Sequence, residues 1–319
     1  MKYRTFGKTG MQVSAMTLGT WGMGNVGWDI YDDEVKADAV KAAYEQGINL
    51  IDTAPAYNGG AAERFLGKTL KDLGIRSQVQ ISTKCGNIFT DGKTYIRDGR
   101  YDSVLKQCHE SLENLQTDYI DLMLIHWPDP KTPFEETMDA LNRLKKEGKI
   151  LHIGVSNFTV EQMETISQYG DIEVLQPQYS MVNRESEETI KWAHSRNMGI
   201  MTYGSLGGGI LSGRFRSLQT FPETDSRNRF YKHFQEPMFS RIMAMLNEMD
   251  DISLKNDGIP LSQLALAWSY EKPFVSTCIV GAQKRERVIE NAQAFDREIP
   301  AEDMERLNAA ADWLMEESR

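Results

Sequence analysis

Eight short apolar runs alternate with segments of helical periodicity along almost the whole chain, and this alternation restricts the fold more than any single motif. The runs end near Thr20, Asp52, Lys84, His126, Ser156, Gln176, Tyr203 and Val280, and include NLID, VQISTK, YIDLMLIH, LHIGVSN, VLQ, GIMTY and STCIV. Amphipathic stretches such as DDEVKADAVKAAYEQG and SVLKQCHESLENL lie between them. Eight strand–helix units predict an α/β chain closed as a (β/α)8 TIM barrel rather than an open sheet. The opening KYRTFGKTGMQVSAM fits none of the units. It reads as two short strands around Lys8-Thr9-Gly10, a hairpin closing the barrel floor.

Several element boundaries carry their own chemistry. Thr132-Pro133-Phe134-Glu135 combines a capping box with proline at the first helical position, and Thr159 with Gln162 makes a second box. Gly47 and Gly148 stand where helices stop. Two strand-to-helix connections are long, about residues 87–101 and 205–237, a length typical of lids and binding loops and shared by plain surface insertions. The 319 residues contain no linker-like stretch or break in composition, so 1–319 reads as one barrel domain. No apolar run approaches the ~20 residues of a membrane span, and MKYRTFGKTG lacks the apolar core of a signal peptide. Cys85, Cys108 and Cys278 are too few and scattered for a disulfide framework or zinc cluster, which points to a reducing cytoplasm. A net charge of −10 argues against nucleic acid as a partner, though not against a phosphorylated small ligand in a locally basic pocket.

In LGTWGMGNVGW, Gly22, Gly24 and Gly27 match the dinucleotide fingerprint G-x-G-x-x-G, and Asp52 follows where a ribose-binding carboxylate belongs. The fingerprint needs a helix opening at its third glycine. Here WDIYDDE follows Gly27 and the helical pattern begins only near Asp33, so the stretch reads as the first strand-to-helix loop of the barrel.

Catalytic groups of such barrels gather at the C-terminal strand ends. Asp52, Lys84 and His126 end three successive strands, and Tyr57 follows in the loop IDTAPAY. Each alone is compatible with an ion pair or a cap; together they suit carbonyl reduction, which places charge on oxygen and needs a proton donor. Tyrosine titrates near pH 10, so a nearby Lys84 ammonium is expected to lower that value, with Asp52 balancing the lysine. A neutral His126 can donate a hydrogen bond to the carbonyl oxygen.

IDTAPAYN (51–58), STKCG (82–86), LIHWPDP (124–130), GKILHIGVSNF (148–158) and YGSLGGGILSGR (203–214) resemble the motifs of the aldo-keto reductase superfamily, in order, from about residue 3 to residue 292. The resemblance implies an oxidoreductase on a (β/α)8 barrel that binds NADP(H), less often NAD(H), without a Rossmann fold. It carries the Asp-Tyr-Lys-His tetrad onto Asp52, Tyr57, Lys84 and His126. It places Thr20 and Trp21 beside the nicotinamide, with Ser156, Asn157 and Gln176 on its carboxamide, which needs both donors and acceptors. Tyr203 is the stacking aromatic, or else an aromatic barrel plug. Gly204, Ser205, Leu206, Gly208 and Arg214 correspond to the pyrophosphate loop, although a triple glycine alone is also a flexible turn. Gly281, Gln283, Arg287, Glu290 and Asn291 correspond to the adenosine end.

Lys284, Arg285 and Arg287 form a basic cluster that suits a 2′-phosphate, hence NADP(H) over NAD(H), or else a solvated helix face. Trp21, Trp28, Tyr57, Phe89 and Trp127 are expected to rim a pocket for a small carbonyl or alcohol substrate. Arg227, Arg229 and Lys232 in the seventh loop could draw an anionic substrate or the cofactor phosphate, or form a solvated lid. Two features depart from the family or stand apart from its site. NGGAAERFLG lacks the histidine-bearing form common after the tyrosine, and Cys85, next to Lys84 on a strand, should face away from it as packing. His109, His152, His194 and His233 stand on helix or loop patterns without metal-ligand spacing, so no metal is expected. Two other functions compete. One is a regulatory, non-catalytic NADPH-binding protein resembling potassium-channel β subunits, and the other a metal-dependent hydrolase on the same barrel.

Overall fold

The computed structural model describes residues 1–90 and 94–316. The chain opens with an antiparallel pair, β1 (Tyr3–Thr5) and β2 (Gln12–Ser14), joined through a tight turn at Gly7–Thr9. Eight parallel strands follow among the described residues: β3 (Met16–Gly19), β4 (Leu50–Asp52), β5 (Gln80–Cys85), β8 (Ile120–Ile125), β9 (Ile150–Ser156), β10 (Val174–Gln176), β11 (Gly199–Thr202) and β12 (Thr277–Gly281). Between β5 and β8 stands a small hairpin of β6 (Asn87–Thr90) and β7 (Thr94–Arg97). β12 pairs with β3, so the sheet closes into a barrel.

The surrounding helices are α1 (Asp33–Glu45), α2 (Ala61–Leu73), α3 (Tyr101–Leu115), α4 (Phe134–Lys146), α5 (Val160–Ile166), α6 (Glu187–Ser195), α7 (Ser226–Phe230), α8 (Met238–Lys255), α9 (Leu261–Glu271), α10 (Arg285–Ala292) and α11 (Ala301–Glu316). Their apolar faces bury Val40, Leu66, Leu112 and Leu141 in one layer outside the barrel, while Phe6, Leu50, Leu122, Leu124 and Met201 fill its inside. Phe6 comes from the hairpin turn and plugs the floor: a side chain on Gly199 would meet its ring at 2.4 Å.

The eight strands end within a residue or so of the expected positions, and the reason is local. Gly47 and Gly148 follow α1 and α4 in the left-handed conformation that stops a helix, and Thr159 with Gln162 forms a complete capping box before α5. The other expected box does not form. Pro133 is itself the residue before α4, and the Thr132 hydroxyl donates to Asp129 instead. His152, expected on a helix or loop, lies on β9 with Nδ1 2.8 Å from Glu173. Cys85 is buried among the packing residues outside the barrel, and burial pushes its thiol up, so it stays protonated. The connection expected at 87–101 holds the β6–β7 hairpin; residues 91–93 lie outside the described residues. No described helix is long and apolar enough to cross a membrane.

Candidate active site

At the C-terminal mouth of the barrel, β4 delivers Asp52, β5 delivers Lys84, and His126 follows β8, its backbone N–H donating to Cys85 O at 2.9 Å. Tyr57 stands in the tight loop after β4. Its N–H bonds Ala54 O at 3.0 Å, and the next residue, Asn58, turns at φ 56° while its Nδ2 donates to Gly24 O at 2.8 Å. An ammonium has three protons to donate. Lys84 Nζ directs its three at Asp52 Oδ1 (2.7 Å), Thr53 O (2.8 Å) and Tyr57 Oη (3.1 Å). The second oxygen of Asp52 accepts from Gln176 Nε2 at 2.8 Å. The His126 ring stands edge-on to Tyr57, centroids 6.2 Å apart.

Burial governs how these groups titrate. It lowers Lys84 from its ordinary value against the opposing pull of Asp52, and it holds His126 well below the usual histidine range, with the Lys84 charge adding to the effect. Tyr57 is raised well above 10, first by burial and then by Asp52 and Tyr95. This reverses the expectation of a lowered phenol. Asp52 cancels the lysine's charge at contact, so the ring experiences loss of water more than it experiences a cation. His126 Nδ1 is buried without a hydrogen-bond partner. A buried orphan N–H is the rarer defect, which favours the tautomer with the proton on Nε2.

Asp52, Tyr57 and His126 line one end of a cavity of about 1160 Å³, with Lys84 buried behind Tyr57. Thr20, Trp21, Ser156, Asn157, Gln176 and Tyr203 also line it. Asn157, in the left-handed region at φ 61°, ties three strand ends together. Its Nδ2 donates to His126 O and Ser156 Oγ, both at 3.0 Å, and its Oδ1 accepts from Tyr203 Oη at 2.8 Å. Further along, Gly204, Ser205, Leu206, Gly208 and Arg214 form the wall. Gly208 and Gly209 turn at φ 69° and 95°, and a side chain on Gly208 would meet the Tyr231 ring at 3.0 Å. The far end is lined by Gly281, Gln283, Arg287, Glu290 and Asn291.

This donor set fits a nicotinamide dinucleotide. The Gln283 Oε1 acceptor is buried without a partner, the glycine turn leaves backbone open to the cavity, and Arg214 has no carboxylate partner among the described residues. The basic cluster is thinner than its sequence suggests. Arg285 turns away to α1, pairing Asp38 (3.0 Å) and Glu45 (2.5 Å), while Arg287 pairs Glu290 at 2.7 Å.

Trp21, Trp28, Tyr57 and Trp127 line the pocket end of the cavity. Phe89 does not. Its cross-strand partner in the hairpin is Tyr95, two pairs nearer the tip than Asn87 and Arg97, and the two rings pack 4.9 Å apart. Asn87, Tyr95 and Arg97 line the cavity instead and went unread in the sequence. The signal was the i, i+2 spacing in Thr-Tyr-Ile-Arg, which puts Tyr95 and Arg97 on one face of a strand and leaves Ile96 exposed. Among the described residues no three His, Cys, Asp or Glu side chains group as metal ligands.

The chain belongs to the aldo/keto reductase family, whose model matches residues 15–312, and its reaction class is that of oxidoreductases using a nicotinamide cofactor. It is 37% identical to the aldo-keto reductase YhdN of Bacillus subtilis over 89% of this chain and 86% of that one. With the NADH-specific methylglyoxal reductase of Escherichia coli it shares 31% identity over 98% and 99% of the two chains. With a putative voltage-gated potassium channel subunit beta of Schizosaccharomyces pombe the identity is 30%, over 92% and 88%. Among solved structures, the glycerol dehydrogenase AKR11B4 of Gluconobacter oxydans superposes with a TM-score of 0.85 at 31% identity, covering 94% of this chain and 92% of that one.

Proposed function

We propose that this protein reduces an aldehyde, ketone or sugar carbonyl to the alcohol with NADP(H) as preferred cofactor, Tyr57 delivering the proton. The observation that carries the reading is the Lys84 ammonium, fully buried and aimed at Tyr57 Oη. A bound nicotinamide supplies the hydride. The chain's own part is to hold the carbonyl oxygen between the Tyr57 hydroxyl and His126 Nε2, both donors, and to complete the proton transfer. As the phenol gives up its proton, Lys84 stabilises the developing phenolate, and Asp52 keeps that ammonium charged in a site where an unpaired cation is costly. Tyr57 stays protonated in neutral solution, so the free site holds the proton that reduction of a carbonyl consumes. Ser156, Asn157 and Gln176 would hold the carboxamide, the Gly208 turn and Arg214 the pyrophosphate, and Gln283, Glu290 and Asn291 the adenosine.

Lys284 and Arg287, both on the cavity wall, support a 2′-phosphate, and the NADH-specific relative makes the choice of nucleotide the first thing to measure. Tryptophan quenching titrated with NADPH and NADH, followed by a panel of uncharged aldehydes and ketones, tests the whole proposal. Turnover with NADPH that is lost in Tyr57→Phe is the expected result. Tight NADPH binding with a single stoichiometric turnover favours a regulatory protein instead, the reading prompted by the channel-subunit relative. Neither quenching nor turnover with either nucleotide refutes both.

A further inference from the structure

The cationic side chains of the cavity stand in two places. Arg214, Lys284 and Arg287 follow β11 and β12, at the end assigned above to the nucleotide. Arg97 and Arg229 stand across the mouth. Arg97 lies on β7, in the hairpin after β5, and its guanidinium sits 5.1 Å from the ring centroid of Trp127, the residue after His126. In the closed barrel β5 is four places from β11, diametrically opposite it. The long connection after β11 nevertheless reaches that side. Arg229 lies 5.6 Å from the Tyr95 ring centroid, and Phe230 packs edge-on against Trp21 at 5.1 Å, whose ring in turn stacks 6.1 Å from Tyr57.

Neither arginine has an ion-pair partner among the described residues, in a chain where most arginines do. Among the described residues Arg97 makes one hydrogen bond, a 3.4 Å contact with Pro128 O. Arg227, by contrast, is buried and clamped by both oxygens of Asp225 at 2.9 Å, so its charge is spent, and Lys232 does not line the cavity. The rim carboxylates Asp29, Glu286 and Glu290 belong to the nucleotide end, where Gln283 donates to Asp29 O and Arg287 pairs Glu290.

Resting on the reductase reading, we propose that Arg97 and Arg229, with Tyr95 between them, bind an anionic group on the substrate, a carboxylate or phosphate, while its carbonyl faces Tyr57 and His126. Guanidinium groups hold either anion through paired N–H donors, and planar aromatic neighbours keep the fork in place. The natural substrate is then an oxo-acid or a phosphorylated aldehyde or sugar.

Matched pairs test this: 4-carboxybenzaldehyde against its methyl ester, and glyceraldehyde 3-phosphate against glyceraldehyde. Wild-type protein should favour the anionic member of at least one pair by about tenfold in kcat/KM, chiefly through KM. About 0.5 M NaCl should erode the preference, and the Arg97→Gln/Arg229→Gln double variant should bring it within about twofold. Which pair shows the effect separates carboxylate from phosphate. Equal kcat/KM within both pairs, or a preference that survives in the double variant, overturns the proposal. Calorimetry with 4-(hydroxymethyl)benzoate, the alcohol product, reads binding without turnover. Binding lost in the double variant while every aldehyde is inert would keep the anion site and remove the reductase reading. Turnover of the uncharged esters with no anion preference would do the reverse.

Discussion

Replacing Asp52 by asparagine leaves the shape of the site and removes the carboxylate charge paired with Lys84 at hydrogen-bond distance. Two opposite costs then set the outcome. Keeping the ammonium buried without its partner costs about 3–5 kcal/mol. Discharging it instead costs about 1.4 kcal/mol for each unit by which the solution lies below the ordinary lysine value of 10.5, hence about 5 kcal/mol at pH 7 and about 2 kcal/mol at pH 9. The cheaper route prevails at each pH, so Asp52→Asn should lose about 4 kcal/mol at pH 7 and about 2 at pH 9. The sign follows from linkage. A lysine depressed in the folded state makes the unfolded chain the better proton binder, and folding recovers as pH rises toward 10.5. For 319 residues the unfolding entropy is about 0.7 kcal/mol/K, so the melting temperature should fall by about 6 °C at pH 7. Thermal scans at pH 7 and 9, with Tyr57→Phe as a control that keeps the ion pair, read this directly. A variant within about 1 kcal/mol of wild type at pH 7, or a gap that fails to narrow by pH 9, refutes the account of Lys84 as a cation held by Asp52.

Three further outcomes are expected. Because burial holds His126 neutral well below 6.5, kcat/KM for reduction should run level through pH 6.5, and an inflection there that His126→Asn removes would count against the neutral imidazole. His233 is buried with Nε2 unpartnered and its pKa is pushed down to about 4; the unfolded chain therefore binds the extra proton, and wild type should lose about 3 kcal/mol more than His233→Asn between pH 6.5 and 4 in urea titrations. Arg287→Glu should weaken NADPH by at least about tenfold in tryptophan-quenching titrations while NADH changes by about twofold or less, and equal losses for both would remove Arg287 from 2′-phosphate recognition.

The barrel was legible because its signals are local. Strand ends, the left-handed glycines after helices and the Thr159 box each declare themselves within a few residues. What stayed hidden depends on partners far along the chain. Arg285 reads as part of a basic cluster until α1 presents Asp38 and Glu45 to it. The Tyr57 phenol reads as lowered until the depth of its burial and the Asp52–Lys84 contact are known. The role of Asn157 as a tie among three strand ends depends on the barrel being closed, and Tyr95 with Arg97 escaped because a four-residue strand inside a loop leaves only one i, i+2 pair to notice.

The seam between β3 and β12 has a consequence for how such a chain is made. The Thr17 and Thr277 hydroxyls meet there at 2.7 Å across a separation of 260 residues. Asp52, Tyr57, Lys84 and His126 all leave the ribosome early, but until β12 emerges β3 has a bare edge and the barrel interior stays open to water. A nascent chain shorter than the seam therefore holds the whole tetrad without the dry enclosure that sets its proton affinities, and displays an unpaired apolar strand for most of its synthesis. Ribosome-bound intermediates of this protein should bind chaperones until the last strand arrives, and catalytic competence should follow only once that strand and the helix after it, through Asn291, have emerged.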